Sequence, residues 1–486
     1  MGRTNNKTLF WLAAILLCAI GLRLAFFSGV GGSDDVLYAS YSHYLSKGNF
    51  SFPATHHGTR IGFLYPTSVF YSIFGVNDFS SVLLEFAASI AGIILIFYFG
   101  KEFFNEKVGL IAAFLLSIFP LDVIFATKLL PDLPSAFFLS LGVFLFLKAE
   151  KNNKQNNVDY LFSGVSVGIA YMIRESALLI LLFFLVYVLF YKKFKSSYFL
   201  VFSGFAIIFL LESYLFFIKT GDFLFRFHSL TSYYPIVAEA DEFFGRTSFP
   251  LSLLYFPYIM FTDIQFGSFF TFIFIAIFYN LMTRNKASYP FIMWFFALLI
   301  YLSFGSVSLS QYLPFAAIPR YLFVITFPSV ILLASFLTEK STLTSKVLLP
   351  GILFFLLISS IGFIYLDKAS RNSIDSERKI IKHVNSLDKP VYTDYRTKMV
   401  LEYLSAFSNS NIKQFMHVEN GKTMNDIDLA SARDSYIFVD HRVIKNLLKP
   451  HPFIEFSKEI DNPPKNWVVV KEIKNTEGNA ILYYAP

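Results

Sequence analysis

Long apolar runs recur from residue 9 to about residue 366, and nothing else in the chain limits its fold so severely. A run of about twenty apolar residues matches the hydrocarbon thickness of a bilayer. Inside that layer each backbone N–H and C=O needs a partner from the chain, which a helix supplies within its own segment. The chain is 55% hydrophobic and only 15% charged, whereas soluble domains are about 25% charged. The runs therefore predict an all-α polytopic membrane domain. Its 62 phenylalanines suit lipid-facing and interfacial surfaces.

The pattern predicts about eleven spans, near residues 8–30, 81–100, 108–126, 133–149, 159–173, 176–191, 198–218, 265–283, 288–305, 321–337 and 347–366. The first is read as an uncleaved helix rather than a signal peptide, because Leu9–Phe27 is long enough to cross and no small-residue cleavage site ends it. Arg23 lies near its outer end, where it can snorkel or pair. Residues 31–79 form a polar-aromatic loop in which Phe63–Phe74, too short to cross, predicts an interfacial helix ending at Gly75. Residues 251–263 are apolar and ambiguous between crossing and lying in the interface.

Charge sets the orientation. The lysine-bearing loops follow spans two, four, six, eight and ten, with Lys101, Lys107, Lys148, Lys151, Lys154, Lys192, Lys193, Lys195, Lys286, Lys340 and Lys346 among them. Together with the N-terminus they fall on one side, the cytoplasmic side by the positive-inside rule. This distribution accounts for the net charge of +7 without nucleic acid as a partner. The expected location is the plasma membrane, with the carboxylate-bearing loops and the C-terminal tail outside.

Composition changes to that of a soluble protein near residue 367, which divides the chain into a membrane domain, 1–366, and an extracytoplasmic domain, 367–486. Val391–Asp394, Tyr436–Asp440, Trp467–Ile473 and Ala480–Tyr484 read as strands, and Lys398–Ala406 and Arg442–Leu448 as helices. The result is a small α/β domain with no glycine-rich phosphate loop and no Cys/His metal spacing. Docking or acceptor recognition suits it. The single cysteine, Cys18, lies in the first span and excludes an internal disulfide.

Chemistry concentrates on the outer side. Asp34 and Asp35 follow the first span directly, and carboxylates at a membrane edge are costly unless they have a partner or a task. One could act as a base toward an acceptor hydroxyl or amine, or hold a cation. Alternatively they cap the helix that follows Ser33. Arg60, Arg174 and Arg320 stand at outer span ends, where a guanidinium fork suits a lipid phosphate and snorkelling is the plainer reading. Asp132 opens span four and can simply complement the helix dipole. Asp122 shares its loop. Glu175 can pair with Arg174. Asp222, Arg226, His228, Glu239, Asp241, Glu242 and Arg246 populate the stretch 219–250. His56 and His57 are sequence neighbours and make a weak chelate, and a lone His228 is more often structural.

An ordered series of short motifs resembles the GT-C glycosyltransferases of the protein O-mannosyltransferase and aminoarabinose-transferase type, a family 39-like group. The series is Asp34-Asp35-x-x-Tyr38, Leu45 and Gly48, Arg60-Ile61-Gly62, Tyr65-Pro66, Phe74-Gly75, Phe119-Pro120, Leu130-Pro131-Asp132, Arg174-Glu175-Ser176-Ala177-Leu178 and Pro319-Arg320-Tyr321. The resemblance implies transfer of a sugar from a polyprenyl-phosphate donor to a protein, glycan or lipid acceptor outside the cytoplasm. It implies Asp34 as the base, with Asp35, Arg60, Asp132, Arg174, Glu175, Arg320 and Tyr321 as substrate-binding positions. Arg174 and Arg320 would face the lipid phosphate. Two departures stand out. Gly62-Phe63-Leu64-Tyr65-Pro66 replaces the Glu-Lys-Pro-Pro run of the aminoarabinose enzymes, and the inserted external domain of the O-mannosyltransferases is missing. Neither substrate transfers, no cofactor is implied with certainty, and a divalent cation is left open. A transporter or flippase of lipid-linked substrates is the alternative, although no internal repeat of the transporter kind is evident.

Overall fold

A computed structural model describes residues 5–151, 157–238, 250–306, 312, 314–315, 318–338, 349–370, 374–419, 422–425, 429, 432–445, 458–475 and 478–486. Lys154, Lys340, Lys346, Glu239, Asp241, Glu242, Arg246 and the end of the predicted helix at 446–448 lie outside the described residues.

The described part of the membrane domain is mostly helical. Its helices are α1 (Asn6–Ala25), α2 (Asp34–Ser46), α3 (Ile61–Phe74), α4 (Asp78–Ser81), α5 (Leu83–Phe103), α6 (Glu106–Ile118), α7 (Pro120–Phe125), α8 (Asp132–Lys151), α9 (Asn157–Ile173), α10 (Ile180–Tyr191), α11 (Tyr198–Thr220), α12 (Phe225–Ala238), α13 (Tyr255–Thr262), α14 (Phe269–Met282), α15 (Tyr289–Phe304), α16 (Phe323–Leu337) and α17 (Leu349–Ser370). A helix occupies every predicted span position. Among the described residues, however, seven helical segments are long and apolar enough to cross by length and composition: those built on α1, α5, α8, α11, α15, α16 and α17. Of the other predicted spans, α14 is a continuous helix of 14 residues and the rest have identifiable breaks. Pro120, which has no N–H, separates α6 from α7. Arg174 is extended, with φ −152° and ψ 129°, and separates α9 from a one-turn 3-10 helix, Glu175–Leu179, that leads into α10. The ambiguous stretch at 251–263 is a 3-10 turn followed by the eight-residue α13. At 1.5 Å per residue α13 covers about 12 Å, too little to cross.

The core wraps around α16, which is buried along most of its length, while α1, α11 and α17 lie at the periphery with exposed Leu and Phe side chains. α9 and α11 cross with their backbones nearly touching: a Cβ on Gly164 would overlap the carbonyl of Val201, and one on Gly204 that of Leu161. Small residues permit such crossings in lipid, and this one fixes the end of α9 that carries Arg174. Arg23 does pair. It is fully buried, meets Asp122 at 2.5 Å, donates to Ser89 Oγ at 2.7 Å, and reaches the carbonyls of Ala19 and Ser117 at 3.1 Å. Asp122 is thereby committed to holding α1 against α7.

The loop between α1 and α5 is mostly helical. α3 is a short apolar helix, as expected, and ends at Gly75 in the left-handed region, φ +72°.

The C-terminal region forms a five-stranded mixed sheet, ordered β2 (Ile412–Gln414), β1 (Val391–Thr393), β5 (Ser435–Asp440), β7 (Ala480–Ala485), β6 (Val468–Ile473). β1 is parallel to β2 and β5, and β7 runs antiparallel to β5 and β6. β3 (Met416–Glu419) and β4 (Lys422–Asn425) form a separate hairpin. Helices α18 (Asp375–Val384) and α19 (Tyr395–Leu404) flank the sheet. α19 packs against α2, so this domain sits directly above the loop that follows α1.

Candidate active site

The two adjacent aspartates have separate surroundings. Asp35 folds back into its own loop and accepts from the backbone N–H groups of Gly31 at 2.5 Å, Ser33 at 2.6 Å and Val36 at 3.0 Å. It is buried, and burial raises its carboxyl above the ordinary value despite those donors. Asp35 thus shapes the turn into α2. Asp34, one residue earlier, points the other way, with about a third of its side chain exposed.

Asp34 Oδ2 accepts from Arg320 Nη2 at 2.9 Å, and its Oδ1 faces His57 Nε2 at 3.6 Å. Burial pushes the Asp34 carboxyl up, but contact with His57 and the charge of Arg320 outweigh it and hold the group well below the usual carboxylate range. Asp34 is therefore ionised at neutral pH, as a base must be. Removing His57 takes away a lowering influence and leaves the burial. We expect His57→Ala to move the acid limb of the kcat/KM profile of any reaction catalysed here to higher pH. An unchanged limb would show that His57 does not set the ionisation of Asp34.

Tyr38, on the buried face of α2, packs edge-on against His57 at 5.3 Å and Phe63 at 5.0 Å between ring centres. Its hydroxyl is bonded by Arg60 Nη1. Arg60 also grips Glu175 with two nitrogens, Nη2 to Oε1 at 2.5 Å and Nε to Oε2 at 3.2 Å. On the other side of Glu175, Arg226 donates to Oε2 at 3.3 Å and to Glu212 at 2.6 Å, and its guanidinium lies over the Tyr171 ring at 4.4 Å. Glu175 is thus the shared anion between two arginines. Glu175→Ala leaves both arginines short of a partner, and breaking a buried pair costs about 3–5 kcal/mol. The expected outcome is a clear drop in the unfolding midpoint of the detergent-solubilised protein. An unchanged midpoint would mean that the pairing adds nothing net.

Arg174 is buried, forms a close ion pair with Asp132 at the start of α8, and stacks on Tyr321 at 4.7 Å from the ring centre. The extended Arg174 backbone between two helices aims this side chain across the site. The Nε donors of Arg174 and Arg320 are buried without a hydrogen-bond partner, and Tyr321 joins the two side chains. Such donors suit a further anion.

All the sequence-derived positions except Asp35 fall in these linked clusters. Sequence reasoning passed over Glu212 and gave no role to Arg226 or His57. Glu212 did carry a signal, as a lone carboxylate within a long apolar run. Of the other polar residues in the 219–250 stretch, Asp222 and His228 pair with each other on the surface at 2.7 Å. Among the described residues no group of three or more His, Cys, Asp or Glu converges to hold a metal ion.

Residues 59–215 match the family model described as dolichyl-phosphate-mannose-protein mannosyltransferase. Among solved structures, the chain is similar to ArnT from Cupriavidus metallidurans in the apo state, with a TM-score of 0.68 and 12% identity over 98% of both chains. It is also similar to the same protein bound to undecaprenyl phosphate, with a TM-score of 0.63 and 12% identity over 97% of this chain and 98% of that one. The archaeal oligosaccharyltransferase AglB from Archaeoglobus fulgidus, in complex with an inhibitory peptide and a dolichol-phosphate, aligns with a TM-score of 0.57 and 12% identity over 98% of this chain and 74% of its own. No curated protein sequence matches. The fold is that of the GT-C membrane glycosyltransferases. The likeness of fold spans nearly the whole chain, and the family model matches residues 59–215 of it.

Proposed function

We propose that this integral membrane glycosyltransferase moves a sugar from a polyprenyl-phosphate donor to a protein, glycan or lipid acceptor on the extracytoplasmic face, with Asp34 as the base. The observation that carries the reading is the contact between Asp34 and Arg320, 286 residues apart in sequence and 2.9 Å apart in space. A carboxylate beside a guanidinium suits displacement from a phosphate, with one group to accept a proton and the other to meet the leaving anion.

The acceptor hydroxyl or amine gives its proton to Asp34 and attacks the anomeric carbon. The bond from that carbon to the phosphate oxygen breaks, and the polyprenyl phosphate leaves with the bonding pair. The configuration inverts. Hydrolysis of a glycoside needs a second carboxylic acid to protonate the leaving oxygen. Here the leaving phosphate is already a good anion, and Arg320 and Arg174 stabilise the charge it gains. The unpartnered Nε donors of both arginines support that role. Tyr321 orients the Arg174 guanidinium by stacking, and Asp132 pairs with it.

Arg60 has a different part. Its nitrogens are engaged by Glu175 and Tyr38, so it braces α2 rather than reaching for phosphate. Asp35 likewise acts by setting the direction of Asp34. The acceptor enters from the side of the C-terminal domain, and the polyprenyl tail lies along the apolar helices. By the loop charges the N-terminus is cytoplasmic and residues 367–486 are outside.

The test is transfer of labelled sugar from polyprenyl-phosphate donors to membrane acceptors by the purified protein. Transfer with inversion supports the reading. No transfer from any such donor by folded protein would overturn it and make lipid translocation the next assay.

A further inference from the structure

We infer that Arg396 of the C-terminal domain is a positioning residue for the base, holding the backbone from which Asp34 projects. The inference rests on the function proposed above, and it gives the extracytoplasmic domain a task in the chemical step.

Asp34 begins α2 at the end of a short loop, 29–33, that has little structure of its own. Asp35 ties the Gly31 and Ser33 N–H groups from within, and the elements on either side hold the rest of the loop. From below, Asp78 at the start of α4 accepts from the Val30 N–H at 3.2 Å. From above, Arg396 Nε donates to the Gly32 carbonyl at 2.9 Å, and this bond is buried. Gly32 has φ +84°, a left-handed conformation, and an added Cβ would lie 2.6 Å from Ile374 Cγ2 and 2.7 Å from Arg396 Nη2. Only glycine lets the two domains close so tightly at this point.

Arg396 is itself held in place. Its Nη1 donates to Glu377 at 3.2 Å, and Glu377 is fully buried. Its position at the start of α19 is set by Asp394, which caps that helix by accepting from the Arg396 and Thr397 N–H groups at 3.0 and 2.9 Å. The path from β1 through the Asp394 cap and Arg396 to Gly32 is thus rigid at each link, and it ends two residues before the base. Without the Arg396 bond the Gly32 peptide loses one of its holds, and the backbone before Asp34 can shift. A displacement of about 1 Å at a reacting group costs about 10²-fold in rate.

Arg378 also reaches this loop, donating to the Val30 carbonyl at 3.4 Å, whereas another contact between the domains lies away from residues 29–36. The Phe407 ring stacks on His43 of α2 at 4.5 Å between ring centres, and this pair serves as a control for docking alone.

The experiment compares wild type, Arg396→Ala, Arg396→Lys and Phe407→Ala in the labelled-sugar assay, with kcat and donor KM determined separately. Wild-type transfer must first be seen; its failure would count against the proposed function, not against this assignment. The expected result is a loss of at least tenfold in kcat for Arg396→Ala with donor KM within twofold of wild type. Arg396→Lys, which keeps one donor for Gly32, should recover most of the loss, and Phe407→Ala should stay within twofold of wild type. If Arg396→Ala is not obtained folded, Arg396→Gln is read by the same criteria. Wild-type kcat in the folded Arg396 variant overturns the inference. So does an equal loss in the Phe407 variant, or a loss confined to donor KM.

Discussion

Asp34→Asn is expected to reduce sugar transfer by about 10²–10⁴-fold, the range lost when a general base is removed. The substitution keeps size and shape but cannot accept the acceptor's proton. It also leaves the Arg320 contact within reach, since the amide oxygen still accepts a hydrogen bond. Folding should survive because the side chain is partly exposed and the turn into α2 is shaped by Asp35. Donor binding should be little affected, so the loss should appear in kcat. Normal transfer by the folded variant would remove Asp34 from the mechanism.

Arg320→Ala carries the second-largest expected effect, on a different parameter. The guanidinium meets Asp34 through Nη2 and keeps a buried Nε donor without a partner. If a phosphate oxygen takes that donor, its loss removes one or more charge-assisted bonds of about 1.5–3 kcal/mol each. The donor KM should therefore rise by about 10–100-fold, since about 1.4 kcal/mol corresponds to a factor of ten. Arg320→Lys should recover this only in part, because an ammonium lacks the planar fork. Direct binding of a polyprenyl phosphate to the purified variant separates this effect from any change in the chemical step. An unchanged affinity would move the phosphate to Arg174 alone.

The two variants probe the halves of one contact, and the same pair shows how much of the site could be read without coordinates. The candidates Asp34, Asp132, Arg174, Glu175 and Arg320 stood out because charged residues at span ends are rare and expensive in this composition. Their partners did not. Glu175 next to Arg174 suggested a pair between neighbours, yet Glu175 is held by Arg60 and Arg226, and Arg174 by Asp132. The 3-10 geometry after an extended Arg174 sends the two side chains in different directions. The role of His57 was equally hidden, since it depends on a loop that returns to α2 over Asp34.

Sequence alone determined the membrane class, the positions of the long apolar helices, the short helix ending at Gly75, and the change to an α/β region. These depend on local quantities: the hydrophobic length needed to cross, the missing N–H of proline, the left-handed freedom of glycine, and strand or helix periodicity. Only the tertiary structure decided that 251–263 is too short a helix to cross, that Asp35 serves its own loop while Asp34 faces the site, and that Arg396 reaches Gly32 from 364 residues away. Those outcomes depend on which distant groups share a buried space. There, pairing with an opposite charge or an orphaned backbone group offsets the cost of desolvation, and no local pattern records which partner that will be.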